Sequence, residues 1–241
     1  QGYKIGDNWY YFNENGVSMR NWFREKGTDR YYYDADGRMV SNMEVDIEGE
    51  HYKFGSSGAA YKGWDETENG RYYYTEDGSR AESEGVKIGG YWYYFKEDGQ
   101  ILTGWREKEG SFYYYDEEGH MQANVGLKIE GNWYYFGSDG AMYQSEFRQK
   151  GTDWYYYDSE GHMLKDVDIV IDGYRYIFQS SGAAYQGLLT ENGKVIGFDI
   201  YGRQAYNAGV KDNGSWYYFD AAGDMVKNYW RTKENGKYYY Q

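Results

Sequence analysis

The side chains in this chain that could do chemistry are its aromatic rings. The 241 residues include 34 Tyr, 10 Phe and 9 Trp, so aromatic residues make up 22% of the chain. A ring at an outward position can attract a cation to its face or stack on a sugar. Cysteine is absent, which excludes disulfides, thiol nucleophiles and thiolate metal sites. The net charge of −13 argues against nucleic acid as a partner and suits a cationic or neutral ligand.

The other polar residues show no pattern typical of catalysis or metal binding. No Ser-His-Asp arrangement, phosphate loop or dinucleotide fingerprint is present in the sequence. The histidines, His51, His120 and His162, lack metal-ligand spacing, and acidic turns such as 97–99 lack the spacing of a calcium loop. We therefore expect no catalytic residue, no metal and no cofactor. No apolar run approaches the roughly 18 residues of a membrane span, so we expect none.

The aromatic residues follow a repeat of 20 or 21 residues. A four-residue aromatic block, first present as Trp9-Tyr10-Tyr11-Phe12, recurs to the end of the chain. A glycine lies four residues after each of the first eleven blocks, which cannot be chance. We interpret 1–241 as a single domain of twelve repeats, whose blocks end at 12, 33, 54, 74, 95, 115, 136, 157, 178, 198, 219 and 240.

Two longer periods are superimposed on this repeat. Odd and even repeats differ before the block, as Gly-Val-Lys-Ile at 85–88 differs from Trp-Arg-Glu-Lys at 105–108. The first six repeats also match the last six at an offset of 124, since Gly-Thr-Asp at 27–29 recurs at 151–153. Because the sequence begins and ends within the pattern, we interpret it as a mature or excised piece of a longer protein.

Each repeat is predicted to form a β-hairpin. Short aromatic runs bounded by Gly, Asn and Asp are typical of strands and turns. A first strand such as 86–88 leads through a polar turn such as 107–110 into the aromatic block, which is the second strand. The repeated glycine should occupy a tight turn at positive φ. Because side chains two apart share a face, block positions two and four should form the core, and positions one and three should face outward or into grooves.

The pattern resembles the cell-wall-binding repeat family, which includes choline-binding modules of bacterial surface proteins, glucan-binding repeats of glucansucrases and the short repeats of large clostridial toxins. The family motif is roughly Gly-Trp, a turn, Trp-Tyr-Tyr, three residues, Gly, any residue and Met, and 104–121 follows it closely. The resemblance covers the whole chain. It implies an all-β fold, an elongated left-handed β-solenoid of about twelve stacked hairpins of ~20 residues, with about three hairpins per superhelical turn.

The resemblance also implies a function and a location. We expect a non-catalytic module that attaches a secreted bacterial protein to the cell surface by binding cell-wall polymer, bearing choline or similar, or glucan. A catalytic domain could belong to the parent protein. The alternative is a structural spacer or a protein-receptor-binding rod with degenerate ligand sites. A second copy of the chain is a further candidate partner. Weak sites repeated on one rod would gain roughly 10²–10⁴ in apparent affinity on a polymer.

In choline-binding relatives the ligand lies between consecutive hairpins, in a box of rings often closed by a methionine. The nearest match that the resemblance implies here is Trp105, Phe112, Met121 and Tyr135. No repeat has both tryptophans at the family positions, a variation that glucan binding tolerates better than choline binding. Further candidate ligand contacts are the other tryptophans at related positions: Trp64, Trp22, Trp9, Trp92, Trp133, Trp154 and Trp216.

Arginine at block position one distinguishes the candidate grooves. Arg30 and Arg71 hold this position in the repeats of Trp22 and Trp64, and a guanidinium there would repel a quaternary ammonium group. In the repeat of Trp105 the same position is Phe112. If choline binds, we therefore expect Trp105→Ala to weaken binding more than Trp64→Ala.

Overall fold

The computed structural model describes residues 1–227, 229–234 and 236–240, and every helix or strand in them is a β-strand. Successive strands pair as antiparallel hairpins. The prediction of an all-β fold built from repeated hairpins is confirmed. The strands are β1 (Gly2–Ile5), β2 (Asn8–Tyr11), β3 (Trp22–Lys26), β4 (Asp29–Tyr33), β5 (Met43–Ile47), β6 (Glu50–Phe54), β7 (Gly63–Thr67), β8 (Gly70–Tyr74), β9 (Gly85–Ile88), β10 (Tyr91–Tyr94), β11 (Gly104–Lys108), β12 (Ser111–Tyr115), β13 (Val125–Ile129), β14 (Asn132–Phe136), β15 (Glu146–Lys150), β16 (Asp153–Tyr157), β17 (Val167–Ile171), β18 (Tyr174–Phe178), β19 (Gly187–Glu191), β20 (Lys194–Phe198), β21 (Ala208–Asp212), β22 (Ser215–Phe219), β23 (Met225–Val226), β24 (Tyr229–Lys233) and β25 (Gly236–Tyr240).

Two-residue turns join the strands of the hairpins. In the turn between β13 and β14, Glu130 and Gly131 have φ of 50° and 94°. Positive φ at both residues is the conformation of a type I′ turn, whose twist matches that of the strands it joins. The polar turns predicted from the sequence therefore close the hairpins in the geometry that the fold requires.

The glycine four residues after each aromatic block has positive φ, as predicted. Its φ lies between +75° and +87° at each of the first eleven blocks. At Gly161 the amide donates a hydrogen bond of 3.0 Å to the Asp158 carbonyl, and an added Cβ would lie 2.5 Å from Met142 Cε. The position thus requires glycine for its backbone conformation and for the space beside the methionine of the preceding repeat.

Backbone hydrogen bonds join consecutive hairpins. After each turn glycine the chain passes beside its own aromatic block and beside the block before it. The amide of Leu164 donates to the Tyr156 carbonyl at 2.9 Å, and the amide of Met163 donates to the Trp133 carbonyl at 2.8 Å. Equivalent bonds recur along the chain, so each hairpin holds the backbone of the preceding block position one in place.

The last residue of the aromatic block forms the core, as predicted. Position two shares this face but is less uniformly buried, since Tyr52 is buried and Tyr31 is half-buried. The buried residues at position four are Tyr33, Phe54, Tyr74, Phe95, Tyr115, Phe136, Tyr157, Phe178, Phe198 and Phe219.

The chain divides into two compact units. The first contains Gln1–Glu107 and Tyr114–Gln122, and the second contains Lys108–Tyr113 and the chain from Ala123 onward. Core clusters form around Phe54 and Phe95 in the first unit, and around Phe178 and Phe219 in the second. The single repeat domain, the left-handed solenoid and the number of repeats stay predictions. Among the described residues, no helix is long and apolar enough to span a membrane.

Candidate functional site

The tryptophans at block position one form most of the exposed aromatic surface predicted to contact ligand. Four of them are between 42% and 61% exposed: Trp9, Trp92, Trp133 and Trp216. Trp154 is half-buried, with its ring centroid 5.7 Å from that of Tyr201 and 6.4 Å from that of Phe147. The same block position thus presents an open ring in four repeats and a packed ring in one.

An open cavity of about 530 Å³ lies beside Trp133, within the second unit. Its lining includes Tyr155 from the next hairpin and Met163. The rings of Tyr135 and Tyr157 and three cationic side chains also line it: Arg148, Lys150 and Lys165. The 2.8 Å backbone bond between Met163 and Trp133 brings the methionine to this tryptophan. The aromatic rings and the Met163 thioether give the cavity an apolar, polarizable wall, and Arg148, Lys150 and Lys165 add three cations.

The predicted group of Trp105, Phe112, Met121 and Tyr135 is divided between the two units. Trp105 and Met121 belong to the first unit, and Phe112 and Tyr135 belong to the second. Trp105 is 38% exposed and meets the ring of Tyr114 edge-on, at a centroid distance of 5.1 Å. Trp105 therefore retains exposed ring surface, and the joint site of the four residues stays a prediction.

The backbone bonds assign each methionine to a particular block. The amide of Met121 donates to the Trp92 carbonyl at 2.8 Å, and the Phe112 carbonyl accepts the amide of Met142 at 2.8 Å. Four methionines thus meet the position-one residue of the preceding repeat: Met39, Met121, Met142 and Met163. The sequence analysis had grouped Met121 with the block of its own repeat, because this contact reaches 29 residues back and short-range spacing does not reveal it.

Trp22 and Trp64 lie on opposite faces of their hairpins, which corrects their treatment as equivalent candidates. Trp22 is opposite Tyr33 in the strand register, whereas Trp64 is opposite Tyr73. Tyr33 is the fourth residue of its block and Tyr73 the third, and a one-residue shift moves a side chain to the other face. The structural counterpart of Trp64 is therefore Phe23.

In two repeats, arginine at block position one covers the ring of its own hairpin. The guanidinium carbon of Arg71 lies 3.9 Å from the ring centroid of Trp64, and that of Arg30 lies 3.9 Å from the ring centroid of Phe23. These contacts are cation–π stacks. Trp64 is half-buried as well, so the ring that the sequence offered as a ligand contact is covered by its own chain.

A second set of arginines, which the sequence analysis missed, lies over the position-three tyrosine of the preceding hairpin. The only sequence signal is an arginine 12 or 13 residues after that tyrosine. Burial raises the pKa of Tyr157 to about 12, and Arg148 opposes this rise as a nearby cation and hydrogen-bond donor. The distances from guanidinium carbon to ring centroid are 4.4 Å for Arg24 and Tyr11, 3.7 Å for Arg106 and Tyr94, 3.8 Å for Arg148 and Tyr135, and 4.4 Å for Arg231 and Tyr218.

Two acidic turns bring a histidine to two carboxylates, a spacing that the sequence analysis did not identify. The His120 amide donates to Asp116 Oδ1 at 2.8 Å, and His120 Nδ1 lies 3.3 Å from Asp116 Oδ2. Ion pairing and turn hydrogen bonds account for this arrangement. The side-chain ligand atoms lie within 4.8 Å of one another in each group: Asp116, Glu118 and His120 in one turn, and Asp158, Glu160 and His162 in the other.

Comparison with known sequences identifies the family. The sequence profile described as the choline-binding repeat matches residues 3–43, 85–125 and 127–167, which together exceed half of the chain. The chain belongs to the choline-binding repeat family. The profile of a cell wall binding repeat also matches residues 210–225. No curated protein sequence matches the chain.

Solved structures of Streptococcus pneumoniae proteins share the repeated-hairpin fold. The modular autolysin LytC is 26% identical, with a TM-score of 0.58, over 93% of this chain and 52% of the autolysin. This chain therefore spans about half of the autolysin's length. The choline-binding domain of CbpL is 28% identical, with a TM-score of 0.57, over 77% of this chain and 96% of that domain. CbpJ, at 23% identity and a TM-score of 0.59, covers 99% of both chains and shows the fold alone.

Proposed function

We propose that this chain is a non-catalytic module that attaches a secreted bacterial protein to cell-wall polymer at the cell surface. The observation that carries the proposal is the set of exposed position-one tryptophans on a choline-binding repeat scaffold. Two similar structures support it: the domain of CbpL is described as choline-binding, and LytC has been solved with a synthetic peptidoglycan ligand. Apart from β23, which adds to the edge of β22, the described strands all belong to the repeated hairpins, which supports a binding role rather than catalysis.

We favour polymer-borne choline over glucan as the ligand at the Trp133 cavity. A quaternary ammonium group is attracted to an aromatic face, and Trp133 and Tyr155 supply two rings there. Met163 adds a polarizable contact at the same wall. Lys165 could then pair with an anionic group of the same polymer. The net charge of −13 also attracts a cationic ligand over a longer range.

Sedimentation with purified cell wall tests the proposal. We expect the chain to sediment with choline-containing bacterial wall and to be displaced from it by free choline. We expect no binding to dextran. Trp133→Ala should lower the affinity by about 2–30-fold, the effect of a cation–π contact of roughly 0.5–2 kcal/mol. Val170→Ala, at an exposed strand position of the same unit, is the matched control and should bind as the wild type does.

The opposite pattern of binding would reject choline. Equal binding to choline-free wall, with no displacement by choline, would contradict choline as the ligand, and binding to dextran alone would select glucan. Hydrolysis of wall glycan by this chain, above the rate of a mock preparation, would contradict the non-catalytic assignment.

The covered rings favour a second candidate, a structural spacer or a rod that binds a protein receptor. Arg71 covers Trp64 and Arg30 covers Phe23, so these rings serve packing. If neither choline, dextran nor purified wall binds, this second function replaces the first.

A further inference from the structure

The guanidinium of Arg148 stacks on the ring of Tyr135, which belongs to a cluster of three tyrosine rings. Its carbon lies 3.8 Å from the ring centroid of Tyr135. The rings of Tyr143 and Tyr157 lie 5.0 and 6.3 Å from that of Tyr135, and 5.9 Å from each other. A cation over an aromatic face is the contact by which proteins bind organic cations, and here the cation belongs to the chain itself.

The first unit contains an equivalent box around Arg24. The guanidinium carbon of Arg24 lies 4.4 Å from the ring centroid of Tyr11. The ring of Trp22 lies 5.6 Å from that of Tyr11, and the ring of Tyr33 lies 6.1 Å from both. The third ring of this box comes from β3, whereas the third ring of the Arg148 box comes from the segment before β15. In each unit a guanidinium thus stacks on one ring of a three-ring cluster, and the third ring of the cluster comes from a different position in the two units.

At two other junctions, both the position-three tyrosine and the arginine are replaced. Arg24 and Arg148 are the third residues of β3 and β15, and the third residues of β7 and β19 are Asp65 and Leu189. In the preceding blocks, Lys53 replaces the tyrosine before Asp65, and Ile177 replaces it before Leu189. Lys53 and Asp65 form an ion pair of 2.5 Å. Ile177 and Leu189 are both aliphatic. Among the hairpins that begin with β3, β7, β11, β15, β19 and β24, arginine therefore occurs where the preceding hairpin offers a tyrosine ring. The hairpins between them carry an aliphatic residue at this position, as Val45 follows Tyr32.

We propose that these junctions are organic-cation boxes that the chain fills with its own arginines. Arg24 and Arg148 are specificity-determining residues, because they exclude quaternary ammonium ligands from the boxes. The Tyr135 box lines the same cavity as Trp133, so Arg148 closes one part of that cavity and leaves the exposed ring of Trp133 as its ligand surface. A tethered guanidinium is present at an effective concentration of millimolar or more, so a weak free cation cannot displace it. The guanidinium is also planar and weakly hydrated, which suits it to stacking on rings. The inference deepens the proposed wall-binding function, but the boxes can be tested without cell wall.

Titration with tetramethylammonium chloride tests the proposal directly. Arg148→Ala should create one additional saturable site, binding about tenfold more tightly than any site of the wild type. Lys150→Ala removes the same charge from the same strand and should create no site. The double variant Tyr135→Ala with Arg148→Ala should lose the new site, which locates it at the box. Sodium chloride at equal concentration controls for ionic strength.

Arg24→Ala, with Lys26→Ala as its control, repeats the test in the first unit. Circular dichroism establishes that each variant is folded. A folded Arg148→Ala or Arg24→Ala protein without a new site would overturn the proposal. Loss of folding in both arginine variants, with both lysine variants intact, would also contradict it, since the guanidinium would then be a structural requirement rather than a replaceable ligand. Failure of the wild type to bind cell wall would refute the proposed function and leave this titration unaffected.

Discussion

At the scale of single residues, glycine shows how backbone conformation and packing can be separated. Gly161 and Gly173 have φ of 81° and 82°. A Cβ at Gly161 would lie 2.5 Å from Met142 Cε, whereas a Cβ at Gly173 would have no atom within 4 Å. Both positions disfavour any residue with a side chain, but only Gly161 also lacks the space for one.

Alanine at these two glycines should therefore have unequal effects. Gly173→Ala should lower the free energy of unfolding by about 1–2 kcal/mol, the cost of a left-handed conformation. Gly161→Ala should lower it by a further 1–3 kcal/mol or so, because its methyl group crowds Met142. Urea unfolding monitored by tryptophan fluorescence measures both values. Equal losses would show that Met142 moves aside freely.

Asp77 should make stability depend on acid pH. Burial acts to raise the pKa of its carboxyl, but hydrogen bonds from Thr75 and Ser79, with the Arg30 cation, outweigh burial and lower the pKa to about 2. A pKa lower in the folded than in the unfolded chain contributes stability above pH 4, and this contribution is lost as the pH falls toward 2. Asp77→Asn should thus lose less stability than the wild type between about pH 4 and 2 in urea unfolding. Parallel curves for the two proteins would refute this assignment.

Trp64 and Trp105 should differ in what their removal affects. Trp64 contacts Tyr73 and Tyr93 at centroid distances of 5.1 and 4.9 Å, under the guanidinium of Arg71. Trp64→Ala should therefore lower the free energy of unfolding by about 3 kcal/mol. If choline binds, Trp105→Ala should weaken it more, because the Trp105 ring is partly exposed. Choline titration and thermal unfolding of both variants test this, and the opposite order in the titration would place the ligand at Trp64.

At the scale of hairpins and their junctions, the sequence predicted what repeats at short range. Block spacing predicted the hairpins, the glycine offset predicted positive φ, and alternation predicted buried residues at position four. It did not separate Trp22 from Trp64, because strand register decides the face and a one-residue shift moves a side chain to the other face. The sequence did not predict the contact of Arg148 with Tyr135, because this contact joins two hairpins. The only indication in the sequence is the paired replacement of tyrosine and arginine, as at Lys53 and Asp65.

The junction residues should behave as coupled pairs. Arg148→Leu alone should lower the free energy of unfolding by about 1–2 kcal/mol, since it removes the cation from Tyr135. The double variant Tyr135→Ile with Arg148→Leu, which copies the Ile177 and Leu189 junction, should recover about 1 kcal/mol relative to the sum of the single variants. A double-mutant cycle in urea measures this coupling energy. Strict additivity would mean that ring and guanidinium do not stabilise each other.

At the scale of the whole molecule, the same scaffold carries open and closed aromatic sites. Arginines fill the Tyr135 and Tyr11 boxes, and Arg71 covers Trp64, while the position-one tryptophans stay exposed. Each exposed ring can contribute only a weak contact. Because these rings recur along one chain, binding to a polymer that carries many ligand groups should exceed binding to a single ligand group.

Removing two exposed tryptophans should distinguish polymer binding from single-site binding. Trp133 and Trp216 both belong to the second unit and are exposed. Each alanine variant should remove one choline site of the chain and lower the apparent affinity for choline-containing wall by about 2–30-fold, and the double variant should lower it by the product of the two factors. Choline titration counts the sites, and wall sedimentation measures the polymer affinity. If the double variant binds wall no more weakly than either single variant, the two rings do not engage the polymer together, and the avidity that the proposed function requires is absent.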